Sequence, residues 1–503
     1  MFDISAVFVY IKKRITIKDS LLLSLATLLY FATRLYNIKL LPIFNDEGIY
    51  IHWAKVAWHD ASWRFISLTD GKQPLQTWGT IPFLKLFPND ALLAGRLFSV
   101  ATGFVGIMGI FFLLYYLFGK KTAFIGLFLS IFSPYFLFYD RIAMVDSGVN
   151  AAFIWILFLS IVLVKTIRFD VALIFGLCAG IALLTKSSAQ MFLTVSFFTS
   201  LLLFDFKKRK TSGILSFIFL YGIVFLLSQI IYNVQRLSPF MHYLSKKNTT
   251  FVMTFAEWIK SPFEVLVSNL KTVPYFVFSE SGWVVVPFAL LGLYFLFKKN
   301  IRLFLYFLAW ILIPYLGISF MTRVLFPRYI IFFGTLLIIL TSYCLGEIKR
   351  KEYFIPLISL VIGVFILFQY PMWTDYTRII FPDTDRGQYI TGSTVGLGAK
   401  EIIAYAREKS QDRQVRIIAQ GDFGMTGDIL DTFLLKDDHI FIQGYWPLTK
   451  EVLLKHQKDL ITDHVYVVTA HELQYPADWP MKLIKAYYKL DGKSALQLFE
   501  LTK

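Results

Sequence analysis

Long apolar runs recur through the first 370 residues of this 503-residue chain, and they leave few folds open to it. An α-helix needs roughly 17 to 25 apolar residues to cross a hydrocarbon core of about 30 Å. Inside that core every backbone N–H and C=O must find its partner within the segment, so the runs read as helices. Eleven spans are expected, at 19–36, 92–117, 122–139, 148–164, 171–184, 188–204, 212–232, 282–297, 303–320, 329–346 and 353–370. Residues 92–117, for example, carry a single charged side chain, Arg96. With 56% hydrophobic and 17% charged residues, the chain lacks the polar surface of a soluble protein of this size. Residues 371–503 contain no such run.

The net charge of +16 invites a nucleic-acid reading, but its distribution argues against one. Residues 371–503 hold 16 Lys+Arg against 18 Asp+Glu, so the excess lies wholly in the apolar part. There it follows topology. Lys12/Lys13/Arg14/Lys18, Lys120/Lys121, Lys165/Arg168, Lys207/Lys208/Arg209/Lys210, Lys298/Lys299/Arg302 and Lys349/Arg350/Lys351 fall in alternate loops, which are therefore expected to be cytoplasmic. The N-terminus is then inside, and no small-residue cleavage site follows its basic residues, so the first helix is read as uncleaved. An odd number of spans exports residues 371–503, together with two long loops at 37–91 and 233–281. Chemistry is expected on that outer side of a multi-pass plasma membrane protein. Cys178 and Cys344 both lie in apolar runs, which leaves no disulfide framework and no metal knuckle.

The first long loop opens on Asn45-Asp46-Glu47-Gly48-Ile49-Tyr50, where Asn45 is placed to cap a helix running to about His59. An Asp-Glu pair in a first turn commonly does no more than complement the helix dipole. Its Ile49, Trp53, Ala57 side, with Trp58 and Trp63 nearby, suits a helix lying in the headgroup plane. Lys72 follows in the same loop, stiffened by Pro74, and Arg96, Arg141, Lys186 and Arg328 fall at the outer ends of spans. Each of these cations alone reads as a snorkelling anchor; their convergence on one face is the informative part. Asp146 adds a carboxylate that could orient a cation, bind a metal or pair with Arg141. Carboxylate plus cations at a membrane surface suits group transfer from a lipid phosphate. The cations stabilise the departing phosphate and a carboxylate takes the proton of the attacking hydroxyl or amine.

Arg34-Leu-Tyr-Asn-Ile, Asp46-Glu47-Gly-Ile-Tyr50, Lys72-Gln-Pro-Leu, Gly95-Arg96-Leu-Phe-Ser99, Asp140-Arg141 with Asp146, Leu184-Thr-Lys186 and Arg328-Tyr329 occur in this order across residues 30–330. Together they resemble the GT-C glycosyltransferases, above all the protein O-mannosyltransferases and lipid A aminoarabinose transferases. The resemblance implies inverting transfer of a sugar from a polyprenyl-phosphate carrier to a protein, lipid or glycan acceptor. By position it makes Asp46 the base and Glu47 its supporting acid. It also makes Lys72, Arg96, Arg141, Lys186 and Arg328 contacts to the carrier phosphate, with Tyr50 and Asp146 in support. Gln73 stands where relatives often have a second proline. No cofactor is implied with certainty; a divalent metal is left open, with Asp146 and His242 as candidate ligands.

After Tyr370 the pattern changes to strands at 415–419, 439–443 and 465–469 and helices at 399–409, 424–435 and 449–460. The expected architecture is thus a polytopic α-helical domain, 1–370, followed by an extracytoplasmic α/β domain, 371–503. Asp383-Thr-Asp385 has the form of a metal–nucleotide-sugar motif but lies on the wrong side of the membrane for such donors. Gly392, Gly396 and Gly398 lack the ending of a phosphate loop. His464 and His471 are spaced to opposite faces of a strand. Two other functions share the architecture: a transporter or flippase of lipid-linked or small polar substrates, and an oligosaccharide transferase or polymerase using a pyrophosphate-linked donor.

Overall fold

The computed structural model describes residues 16–206, 211–421, 423–424, 426–470 and 472–503; Lys12, Lys13, Arg14, Lys207, Lys208, Arg209, Lys210 and His471 lie outside the described residues. Each of the eleven expected spans coincides with helix. Among the described residues, six helices are long and apolar enough to cross a membrane alone: Ala91–Phe118, Asp146–Thr166, Thr211–Leu237, Ile301–Met321, Pro327–Glu347 and Lys351–Thr374. The expected span at 122–139 is broken into Lys120–Ile131 and Pro134–Asp140, bent by 58°, because Pro134 opens a new helix rather than extending the old one. A second break, of 107°, separates Leu266–Glu280 from Val285–Lys299. It falls at Gly282, whose φ of +78° few other residues adopt without strain. Phe169–Leu183 and Ala189–Leu201 are shorter apolar helices.

Helix packing is tight where side chains are small. Val285–Lys299 and Ile331–Glu347 approach so closely that a Cβ on Gly292 would run into the carbonyl oxygen of Leu340. Backbone cannot rotate away as a side chain can. Gly292→Val is therefore expected to destabilise the protein by about 1–3 kcal/mol, read as a lower unfolding midpoint of the detergent-solubilised protein.

The C-terminal part forms a five-stranded sheet: β1 Val415–Gln420, β2 Ile440–Tyr445, β3 His464–Thr469, β4 Met481–Tyr488 and β5 Ala495–Leu501. The order is β2-β1-β3-β5-β4. β1 is parallel to both β2 and β3, while β5 pairs antiparallel with β3 and with β4. Helices Ala399–Lys409, Gly427–Asp431 and Lys450–His456 accompany it.

This sheet domain does not stand apart. One apolar cluster joins its Ile402, Ile417, Val468 and Leu498 to Ile43, Ile51, Ala54 and Leu84 of the first long loop. The helix Asn45–His59 is the contact surface. Gly48 packs on the backbone of Ile429, the ring of Trp53 lies 5.9 Å from that of Phe423, and Lys55 donates to the carbonyl of Asp431. This corrects the expectation of a helix in the headgroup plane: Ile49, Trp53 and Ala57 are buried. An apolar face gains more from a close-packed protein partner than from a wet interface.

Candidate active site

The start of the helix Asn45–His59 is fixed by a buried ion pair. Phe44, not Asn45, takes the cap position, and its N–H donates to Glu47 Oε2 at 2.9 Å. Glu47 Oε1 also accepts the N–H of Ala143 at 2.7 Å. Arg96 clasps the same carboxylate with two bonds of 2.9 Å, from Nε and Nη2, and Nη1 donates to the carbonyls of Ile38 and Leu41 at 2.6 and 3.1 Å. Both side chains are fully buried. Glu47, grouped with Asp46 as catalytic from the sequence, is therefore fully buried, its two oxygens held by Arg96 and by two backbone N–H groups. Arg96, expected at the carrier phosphate, has its donors committed to Glu47 and to loop carbonyls.

Arg141, also expected at the carrier phosphate, is tied to the framework through its two Nη atoms, while its Nε is left without a partner. Its Nη1 donates to Met372 O at 2.8 Å, and its Nη2 to Tyr36 O and Asn37 O at 2.8 and 2.7 Å. Carbonyls in the last turn of a helix lack intrahelical partners, and this guanidinium satisfies them where the first and last long helices end. Asp140 pairs with Arg34 at 3.1 Å. Asp146 pairs with neither arginine but with Lys186, at 3.2 Å.

What remains open is Asp46, with 24% of its side chain exposed. Lys72 Nζ lies 3.4 Å from Oδ1 and Arg328 Nη2 lies 3.7 Å from Oδ2. Burial pushes the Asp46 carboxyl up, but Lys72 and Arg328 together outweigh it and hold the group below its usual value, so it is ionised. Lys72 spans the faces of Tyr50 and Trp53, 5.1 and 5.5 Å from their ring centres. Lys186 sits 3.9 Å over the ring of Tyr329. Its ammonium is pushed down by burial, with Asp146 opposing. Two contacts bring the Lys72 and Lys186 loops together: Leu75 N donates to Leu184 O at 3.0 Å, and Gln73 Nε2 to Ser187 Oγ at 3.3 Å. Gln73, in place of a second proline, thus supplies a side-chain tie. The cluster is one ionised carboxylate, a second buried carboxylate and three cations around a partly open centre.

The sequence reading missed four residues here. Lys247 of the second long loop reaches Asp70 at 2.7 Å, and Asp70 in turn lies 3.4 Å from Lys72. A Lys246-Lys247 pair in an otherwise outer loop was the available signal for the first of these. Arg328 Nη1 donates to Gln388 Oε1 and to the Tyr389 hydroxyl, the latter at 3.0 Å. Sixty residues separate those partners, and no local pattern marks them.

A divalent metal fits these residues poorly. Among the described residues no group of three or more His, Cys, Asp or Glu side chains is close enough to hold one. His242 donates from Nδ1 to the carbonyl of Pro239 at 2.9 Å in an exposed turn, and each Asp46 oxygen already faces a cation.

Residues 72–232 match the dolichyl-phosphate-mannose-protein mannosyltransferase family. No curated protein matches the chain in sequence. Among solved structures, ArnT from Cupriavidus metallidurans in the apo state is 13% identical with a TM-score of 0.61, over 95% of this chain and 97% of that one. The same protein bound to undecaprenyl phosphate gives a TM-score of 0.59 at the same identity and coverage. The oligosaccharyltransferase of Archaeoglobus fulgidus, in complex with Zn and sulfate, is 10% identical with a TM-score of 0.54, over 90% of this chain and 68% of that one. At such identities the likeness is one of fold, and it runs through both the helical and the sheet parts. In fold over nearly its whole length, and in family match over residues 72–232, this polytopic membrane chain is similar to the GT-C glycosyltransferases.

Proposed function

We propose that the chain transfers a sugar from a polyprenyl-phosphate carrier to an acceptor hydroxyl or amine, with the chemistry on the extracytoplasmic face. The observation that carries this reading is the Asp46 carboxylate, ionised, partly open and flanked by Lys72 and Arg328. The acceptor oxygen or nitrogen attacks the anomeric carbon, and the bond from that carbon to the phosphate oxygen breaks with its electron pair. The acceptor proton passes to Asp46. Lys72, Lys186 and Arg328 stabilise the polyprenyl phosphate as it leaves. A phosphate that engages Lys72 and Arg328 competes with Asp46 for them, which makes the carboxylate more basic in the complex that needs a base. The undecaprenyl phosphate bound by the structurally similar ArnT supports a donor of this class. The lysines and arginines of alternate loops support the orientation.

Two experiments test the reading. Purified protein in nanodiscs is given polyprenyl-phosphate-linked sugars, and release of the polyprenyl phosphate is followed together with a glycosylated product. Mass spectrometry of envelope glycans, lipids and glycoproteins after gene deletion then identifies the acceptor. Lys72→Ala is expected to lower kcat/KM for the donor by about ten- to hundredfold, the worth of one charge-assisted hydrogen bond. An unchanged donor dependence would remove Lys72 from the phosphate site.

A further inference from the structure

Where the helix Asn45–His59 meets the sheet domain, two pairs of charged groups face each other. His52 and Lys55 stand three residues apart on that helix, and Asp428 and Asp431 stand three apart on the helix Gly427–Asp431, so each pair projects from one helix face. His52 Nδ1 lies 3.1 Å from Asp431 Oδ2, and its Nε2 lies 3.9 Å from Asp428 Oδ1. Lys55 Nζ lies 3.3 Å from Asp431 Oδ2 and also donates to the carbonyls of Asp431 and Leu434. The side chains of His52 and Asp428 are 33% and 9% exposed, so water only partly screens the group.

Each ring nitrogen of His52 thus faces a carboxylate oxygen. A neutral imidazole has a hydrogen on one nitrogen and a lone pair on the other, so it would turn that lone pair toward an anion. Only the imidazolium offers a hydrogen to both. The charge count agrees. With both carboxylates ionised, Lys55 alone leaves one net negative charge in the group, and a proton on His52 cancels it.

Asp428 carries the contact toward Asp46. Its Oδ2 accepts the N–H of Gly424 at 2.7 Å. Gly424 has a φ of +80°, and a Cβ there would come within 3.2 Å of Asn45 Oδ1. Asn45 immediately precedes Asp46, and the Asp428 carboxylate also feels the charge of Lys72. His52 therefore shares a helix with Asp46 and reaches its neighbour a second time through Asp428 and Gly424.

We propose that protonated His52, seated between Asp428 and Asp431, is a positioning residue that clamps the sheet domain onto the helix bearing Asp46, and that loss of its proton loosens this helix and slows transfer. The effect on transfer rests on the transferase reading; the clamp itself does not. Burial pushes the His52 imidazolium down, but Asp431 and Asp428 outweigh it and hold the group above its usual value, with Lys55 opposing. Burial also pushes both carboxyls up. It prevails at Asp428, where His52, the Gly424 N–H and Lys72 oppose it, and is outweighed at Asp431 by His52 and Lys55. A histidine raised on folding contributes stability that is fully present below its unfolded value of about 6.5 and is lost as pH rises through the folded one. The clamp is therefore closed at pH 6 and opens in alkali.

Hydrogen exchange of residues 45–59 and 426–434, corrected for intrinsic rates, is measured in nanodiscs at pH 6 and pH 9 together with kcat and donor KM. Wild type is expected to lose protection at pH 9. Relative to His52→Lys, whose charge is permanent, it should also lose about fivefold in kcat, the upper worth of a partly exposed ion pair, with donor KM little changed. His52→Gln should behave at pH 6 as wild type does at pH 9. His52→Gln combined with Asp428→Asn removes a cation and an anion together and should regain protection at both pH values, which separates an open clamp from a protein that fails to fold. An alkaline loss of protection in His52→Lys equal to that of wild type would overturn the proton clamp. Protection lost in His52→Gln with kcat unchanged would overturn the positioning role. The expected pattern of protection in a protein that transfers no sugar would refute the transferase reading and support the clamp.

Discussion

Asp46→Asn is expected to leave a folded protein whose kcat for sugar transfer has fallen by about 10²–10⁴-fold, the usual worth of a general base. Asparagine keeps the size and the hydrogen bonds of the carboxylate but takes no proton. Lys72 and Arg328, which now flank the carboxylate at 3.4 and 3.7 Å, lose their internal counter-charge and remain free to hold phosphate. The donor KM should then stay level or fall while kcat collapses, which separates a chemical role from a binding one. Wild-type turnover in a properly folded Asp46→Asn protein would end the base assignment.

The largest effect on stability is expected at Arg96. Arg96→Met strands the Glu47 carboxylate in a site with no exposure, at a cost of about 3–5 kcal/mol. That is a large share of the 5–15 kcal/mol typical of folded proteins, so yield and thermal midpoint should both drop sharply. Glu47→Gln combined with Arg96→Met strands no charge and should recover part of the loss. The double variant is also informative about chemistry. If neither side chain touches substrate, it retains transfer in proportion to its folded fraction; transfer lost from a folded double variant would return Glu47 or Arg96 to the reaction.

The contrast between Asp46 and Glu47 shows how far the sequence could be read. Asp46 and Lys72 stood out in the first long loop, and Lys186 and Arg328 as charges at the ends of apolar runs, where a charge is costly enough to need a reason; the fold brings these four together. The same two signals picked out Glu47, Arg96 and Arg141, whose side chains are bonded to one another or to backbone carbonyls of the framework. A cation that ties down loop carbonyls and one that flanks a partly open carboxylate look alike until burial is known. The eleven apolar segments and the three strands β1 to β3 were legible from periodicity alone. β4 was not, because most of Met481–Tyr488 is exposed or half-exposed and shows no clean alternation.

The docking of the helix Asn45–His59 on the sheet domain also bears on how the protein is made. The bond from Lys55 to the carbonyl of Asp431 joins residues 376 positions apart. At a synthesis rate of about 5–20 residues per second, its two halves leave the ribosome roughly 20–75 s apart. The membrane helices are thus inserted long before the segment bearing Asp46 acquires its second wall. A nascent or truncated chain ending before residue 431 holds all six of the long apolar helices found among the described residues but not the sheet contacts of the helix that bears Asp46, so that helix acquires its packing only after those six are made.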